Sequence, residues 1–271
     1  MCPFHYTKSL SQMAQHREFI LTPMSTLMEE SKAALINIDV GICTFPISEY
    51  FFKSLFLKMT GFQEQKLKCI CWDMAISDYE YRYERYSHGF KPGECSEYKD
   101  KCLVLADIIG QIRKFDGSFD VKTYIDVPRL IQNISNEIES FYKEARVNGW
   151  LEREYKEYKE FFQISSDCYD FTDKGYIFKK SANCSKRRCA SQVCAVALMS
   201  MEDIYTLAVY RFRNQCAHNT TSYQKNIVSF DMMRDVGYIF RNYFVRFFML
   251  LLIDDVFVRY YEKYLSYYYM Q

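Results

Sequence analysis

A chain of 271 residues, about half of them hydrophobic, can bury a substantial core, and its 9 glycines and 5 prolines are too few for a sandwich of many short strands. A formal net charge of +1 removes any global electrostatic pull on polyanions, so a nucleic-acid site would have to be a local patch. The 11 cysteines are odd in number and show no short-spaced secreted framework, which predicts reduced thiols and a cytoplasmic protein.

Residues 1–45 carry no charged n-region followed by an apolar h-region, so no signal peptide is expected, and they form an N-terminal extension in which 11–36 has irregular helical spacing. Pro46 suits the first turn of a helix. From Ile47 to about Ser87 the spacing of Phe51, Leu55, Phe62, Leu67 and Ile70 predicts one long helix or two broken near Gly61. His88 to Gly93 reads as a loop. Leu103, Ala106, Ile109 and Ile112 predict a helix with that face inward, and Asp116-Gly117 a turn after it. Pro128 opens a further helix, with Leu130, Ile131, Ile134, Ile138 and Phe141 on one face.

Leu151 to Phe162 is charged and aromatic and reads as a solvated helix edge, with Glu152 and Lys156 at i, i+4. Around Asp173-Lys174-Gly175 the alternation changes, and a small β-hairpin is expected near 168–180. Helices resume from about Gln192, with Met201–Cys216 and Ile227 onward the clearest. The apolar run Phe247–Ile253 is too short to span a bilayer and is followed by two aspartates. The fold class predicted is mostly α: a helical bundle in a single domain, 1–271, built around 47–76, 190–218 and 225–268, with 95–185 as insertion or decoration between core helices.

Most chemistry-bearing patterns are missing. There is no glycine-rich phosphate loop and no nucleophile elbow. Cys184, Cys189 and Cys194 are spaced by five, where zinc needs closer pairs and four ligands. Cys216 has no paired neighbour and Cys69 and Cys71 are too close together, so no metal site is expected.

One segment stands apart. Arg213-Asn214-Gln215-Cys216-Ala217-His218 ends a helix-patterned run, and Asn219-Thr220-Thr221 supplies a stop. On a helix Asn214 and His218 share a face, with Arg213 beside it. An imidazole can move a proton near neutral pH, a guanidinium can hold phosphate oxygens, and an amide can orient either one. This trio suits phosphodiester cleavage in RNA, where the 2′-hydroxyl supplies the nucleophile. Lys179, Lys180, Lys186, Arg187, Arg188 and Arg211 give the neighbourhood a basic excess and are candidate RNA contacts, with Arg246 among further basic residues downstream.

The segment resembles the signature of the HEPN superfamily, Arg, four to six residues, then His, often written Arg-Asn-x-x-x-His. A long early helix near 47–76 and a helix pair flanking the motif would make the four-helix core that family uses. The resemblance implies a metal-independent endoribonuclease without cofactor, of a toxin–antitoxin, abortive-infection or other antiviral defence setting. It implies a homodimer, with Arg213 and His218 catalytic and Asn214 supporting them, restrained by an inhibitory partner protein, a ligand or its own chain. It further implies an acid on an earlier helix that orients the arginine, and Glu64 and Asp73 are the candidates. The alternative is a non-catalytic helical module that binds RNA or protein.

Overall fold

The computed structural model describes residues 14–36, 45–87, 95–145, 151–165, 169–170, 177, 179–180, 199–218 and 240–270. The loop at 88–93, the start of the helix expected from Gln192 and the segment 227–239 lie outside them. Residues 14–21 are helical, and after them come α1 (Ser25–Leu35), α2 (Phe45–Ser77), α3 (Tyr79–Ser87), α4 (Tyr98–Phe115), α5 (Val121–Tyr124), α6 (Val127–Glu144) and α7 (Glu152–Ser165). A two-residue antiparallel ladder pairs β1 (Tyr169–Asp170) with β2 (Lys179–Lys180), Tyr169 opposite Lys180, in the place expected for the hairpin. α8 (Met201–Tyr205), a π-helical turn over Thr206–Tyr210, α9 (Arg211–His218) and α10 (Tyr243–Tyr268) complete the chain. The architecture is a mostly α-helical bundle, and no helix among the described residues is long and apolar enough to cross a membrane.

α10 is the hub. It is apolar nearly all round, so it has no solvent face to orient and is buried from Tyr243 to Leu265 at most positions. Asn242 starts it, its amide oxygen accepting from Phe244 N at 2.9 Å while its amide nitrogen donates to the Glu154 carbonyl at 2.6 Å. α2, α4, α6 and α7 pack around it.

α2 runs unbroken through Gly61, where an exposed helical glycine costs only about 1 kcal/mol. The break falls instead at Asp78, whose carboxylate accepts from Tyr81 N at 3.1 Å and so caps α3. The α6 face is the expected one: Leu130, Ile131, Ile134, Ile138 and Phe141 are all buried. The α4 face is not. Its core side is Val104, Leu105, Ile108, Ile109 and Ile112, while Leu103 is 46% exposed and Ala106 is exposed. The helix begins at Tyr98, five residues earlier than its apolar spacing suggests, and Tyr98 and Lys101 belong to the buried stripe.

Two of the stretches outside the expected core helices also line the core. Within 95–185, α4 and α6 contribute to the same hydrophobic cluster as α2 and α10. The extension 1–45 likewise places Ile20, Met24, Leu27 and Leu35 in that cluster. α7 has a solvated side, with ion pairs Glu152–Lys156 at 2.7 Å and Arg153–Glu157 at 2.9 Å, but its tyrosines turn inward. Tyr155 stacks on Tyr142 at 4.0 Å between centroids, and Tyr158 is buried against Phe244 and Phe248.

Candidate functional site at the Glu64–Arg213 pair

The helix that carries the motif is started by a capping box. Ser200 Oγ accepts from Asp203 N at 3.1 Å, and the Asp203 carboxylate accepts from Ser200 N at 3.3 Å. Two phenols then fasten it to the start of α4: Tyr205 donates to the Ser96 carbonyl at 3.0 Å and Tyr210 to Glu97 at 3.1 Å. Between them the helix widens into the π turn, where Arg211 N reaches back five residues to the Thr206 carbonyl.

Arg246 of α10 lies under this turn. Its Nε donates to the Ala208 carbonyl at 2.9 Å, and its guanidinium carbon sits 3.4 Å from the centre of the Phe212 ring. Only 3% exposed, Arg246 belongs to the interior and not to a surface RNA patch. Burial pushes its pKa down to about 10, with Tyr243, Cys216 and Glu49 opposing that fall. The Phe212 ring is 5.1 Å from Phe56 of α2, so the turn is clamped from two sides.

That clamp aims Arg213 at α2. Arg213 Nη2 donates to Glu64 at 3.1 Å, and its Nη1 to the Asn214 side-chain oxygen at 3.0 Å. The two side chains of the ion pair are 27% and 15% exposed, so the pair is sheltered yet open on one side. Of the two acids named from sequence, Glu64 is the one that meets the arginine. Asp73, nine residues further along α2, is occupied elsewhere: it accepts from Arg17 at 3.1 Å and from the Tyr261 hydroxyl at 2.7 Å. Asn214 spends its oxygen on Arg213, which fixes the guanidinium.

Beside Tyr205 lies a group that the sequence hides. Lys101 of α4 is 1% exposed, donates to the Cys95 carbonyl at 2.7 Å and sits 5.4 Å from the Tyr205 ring centre. Burial pushes its pKa down to about 8, and the Glu64 carboxylate is the strongest influence opposing that shift. Tyr205, wholly buried, has its phenol pushed far up by desolvation and by Glu64. Glu64 therefore pairs directly with Arg213 and also favours the charged form of the buried Lys101. Lysine is the residue type least expected inside a core, and only its place in the stripe of α4 could have pointed to it.

His218 is the last residue of α9, five after Arg213; its side chain lies outside the described residues. So do Lys186, Arg187 and Arg188, and the side chains of Lys179 and Lys180 on β2. Arg211 is exposed. Cys184, Cys189 and Cys194 are outside as well, and among the described residues no cluster of three metal-ligating side chains occurs. Cys216 is half-buried, with its thiol pushed up by burial.

No family model, no curated protein and no solved structure matches the chain.

Proposed function

We propose that this chain is a metal-independent endoribonuclease of the HEPN type, with Arg213 and His218 as its catalytic pair and Asn214 and Glu64 as the groups that position the arginine. The observation that carries the reading is the arginine of an Arg-Asn-x-x-x-His helix end held between Asn214 and an acid of an earlier helix, and left open on one side. In the reaction the 2′-hydroxyl of the substrate attacks the adjacent phosphorus and the 5′-oxygen leaves, giving a 2′,3′-cyclic phosphate and a free 5′-hydroxyl. His218 exchanges the proton that the 2′-oxygen loses or the 5′-oxygen gains. Arg213 meets the charge that builds on the phosphoryl oxygens. Glu64 keeps the guanidinium in place between turnovers.

A toxin or antiviral role, cytoplasmic action and an inhibitory partner belong to the same proposal. The test is cleavage of a mixed single-stranded RNA in EDTA, with end-group analysis of the products. The reading expects cyclic-phosphate ends from the parent and no cleavage by His218→Ala. Equal cleavage by the two proteins removes His218 from the site. The second reading, a module that binds RNA or protein without cutting, is favoured by the fact that Glu64 and Asn214 already occupy the Arg213 guanidinium. RNA retention by the parent without any cleavage would select it.

A further inference from the structure

The two phenols that tie the motif helix to the start of α4 have different settings. Tyr205 is buried and its hydroxyl meets a backbone carbonyl. Tyr210 is half-buried, and the carboxylate it meets, Glu97, is exposed. Where water competes for both ends, such a bond contributes little to the fold. Glu97 is also the residue before the first turn of α4, yet its side chain does not cap that helix. Among the described residues it has no ion pair, since Lys99, two residues on, lies 3.6 Å from Glu202. One carboxylate oxygen accepts from Tyr210, and the other has no partner among those residues.

This pair stands one turn before the motif. The π turn ends at Tyr210 and regular winding resumes at Arg211. Tyr210 and Asn214 are i and i+4, so they share a face of the helix. Along the axis Arg213 comes about 4.5 Å after Tyr210, and His218 about 12 Å after it. A flat ring precedes the guanidinium and an imidazole follows it, so a strand whose phosphate meets Arg213 would bring a neighbouring base to Tyr210. Arg211, exposed beside the ring, adds a cation for the backbone of that strand.

We propose that Tyr210 and Glu97 form a nucleobase subsite for guanine, the ring stacking on the base and the carboxylate accepting from its N1–H and its 2-amino group. An aromatic face stacks on any base, so the choice comes from the carboxylate, which only accepts. Guanine presents two adjacent N–H donors on its pairing edge, a match for two carboxylate oxygens. Cytosine and adenine set one amino group beside a ring nitrogen that accepts. Uracil sets its one N–H between two carbonyls, which a carboxylate repels. The oxygen already bound to Tyr210 keeps a further lone pair for the base, so the phenol orients the carboxylate without using it up. The position of the subsite beside a scissile phosphate rests on the ribonuclease reading, whereas its preference for guanine does not.

On a mixed single-stranded RNA in EDTA, the full chain is expected to cut next to guanosine about 10-fold or more faster than next to uridine. Inosine, which lacks the 2-amino group, should be cut more slowly than guanosine at the same place. Glu97→Gln should bring the guanosine-to-uridine ratio toward one. Tyr210→Ala should raise KM by about 10-fold, and Tyr210→Phe, which keeps the ring, should restore it. A pair that only fastened the helix would slow all cuts alike and leave the ratio where it was. Equilibrium dialysis supplies an arm that needs no cleavage: the parent should retain guanosine 5′-monophosphate over uridine 5′-monophosphate, and Glu97→Gln should not. Cutting without base preference, or a guanosine preference that survives Glu97→Gln, overturns the subsite and leaves the ribonuclease reading standing. A preference for cytidine or adenosine overturns guanine as the occupant. If the parent cuts no RNA, the ribonuclease reading falls and the dialysis decides alone, equal retention of the two nucleotides overturning the subsite.

Discussion

Two ion pairs reach out from α2 only two residues apart, and they are built for opposite ends. Lys66 and Asp254 are 1% and 3% exposed at the side chain and 2.7 Å apart. Lys66 also donates to the Thr22 carbonyl at 2.7 Å, and Asp254 accepts from Met24 N at 3.0 Å, so three separate stretches of chain meet at one charge pair. Burial pushes the lysine down and the aspartate up, and each opposes the shift of the other. Glu64 and Arg213 have the same chemistry with one side open. A charge pair closed off from solvent can only hold the fold; a pair with one side open can hold a ligand as well.

The largest effect expected from this contrast is on Lys66. Lys66→Ala leaves Asp254 buried without its cation and should cost about 3–5 kcal/mol in urea unfolding. A loss below about 1 kcal/mol would mean that the interior at Asp254 is wet, and the contrast between the pairs would disappear. Lys101 gives the next effect. Its folded pKa near 8 lies below its ordinary 10.5, so the protonated form is disfavoured in the fold. The penalty is complete below pH 8 and lifts as pH rises toward 10.5. The parent should therefore gain on Lys101→Met by up to about 3 kcal/mol across that window. A flat difference would show that Lys101 is solvated and does not act on Glu64.

Arg213→Ala should behave unlike Lys66→Ala in kind. Its unfolding free energy should move by under about 1 kcal/mol, because the pair is partly open. RNA cleavage should fall by about 100-fold or more. Loss of fold and activity together would reduce Glu64–Arg213 to a second structural pair. The smallest effect sets the floor: Gly110→Ala, on an exposed face of α4, should add about 0.5–1 kcal/mol and leave cleavage unchanged.

The sequence carried the helices better than it carried their neighbours. Pro128 and the run of isoleucines after it gave α6 and its face directly, because starting signal and periodicity agree. The face of α4 was legible only at Ile109 and Ile112, since Leu103 and Ala106 are apolar in type but exposed while the buried Lys101 is charged. An acid for Arg213 could be sought on α2, but choosing Glu64 over Asp73 needed Arg17, which comes from a segment with no clean pattern. Basic residues read from sequence as a patch include Arg246, which is interior because three aromatic rings and a backbone carbonyl receive it. None of those long-range partners leaves a mark in local spacing.

The π turn makes the motif a matter of phase. A five-residue reach at Thr206–Arg211 holds one residue more than a regular helix would over the same stretch. Deleting a residue such as Leu207 would restore regular winding and leave α9 in phase, so Arg213 would still face Glu64. Regular winding of the undiminished chain would instead turn the whole segment by about 100° against α2. Arg213 would then point away from Glu64 with its composition unchanged. The chain can thus lose its candidate site by a slip in the winding of one helix.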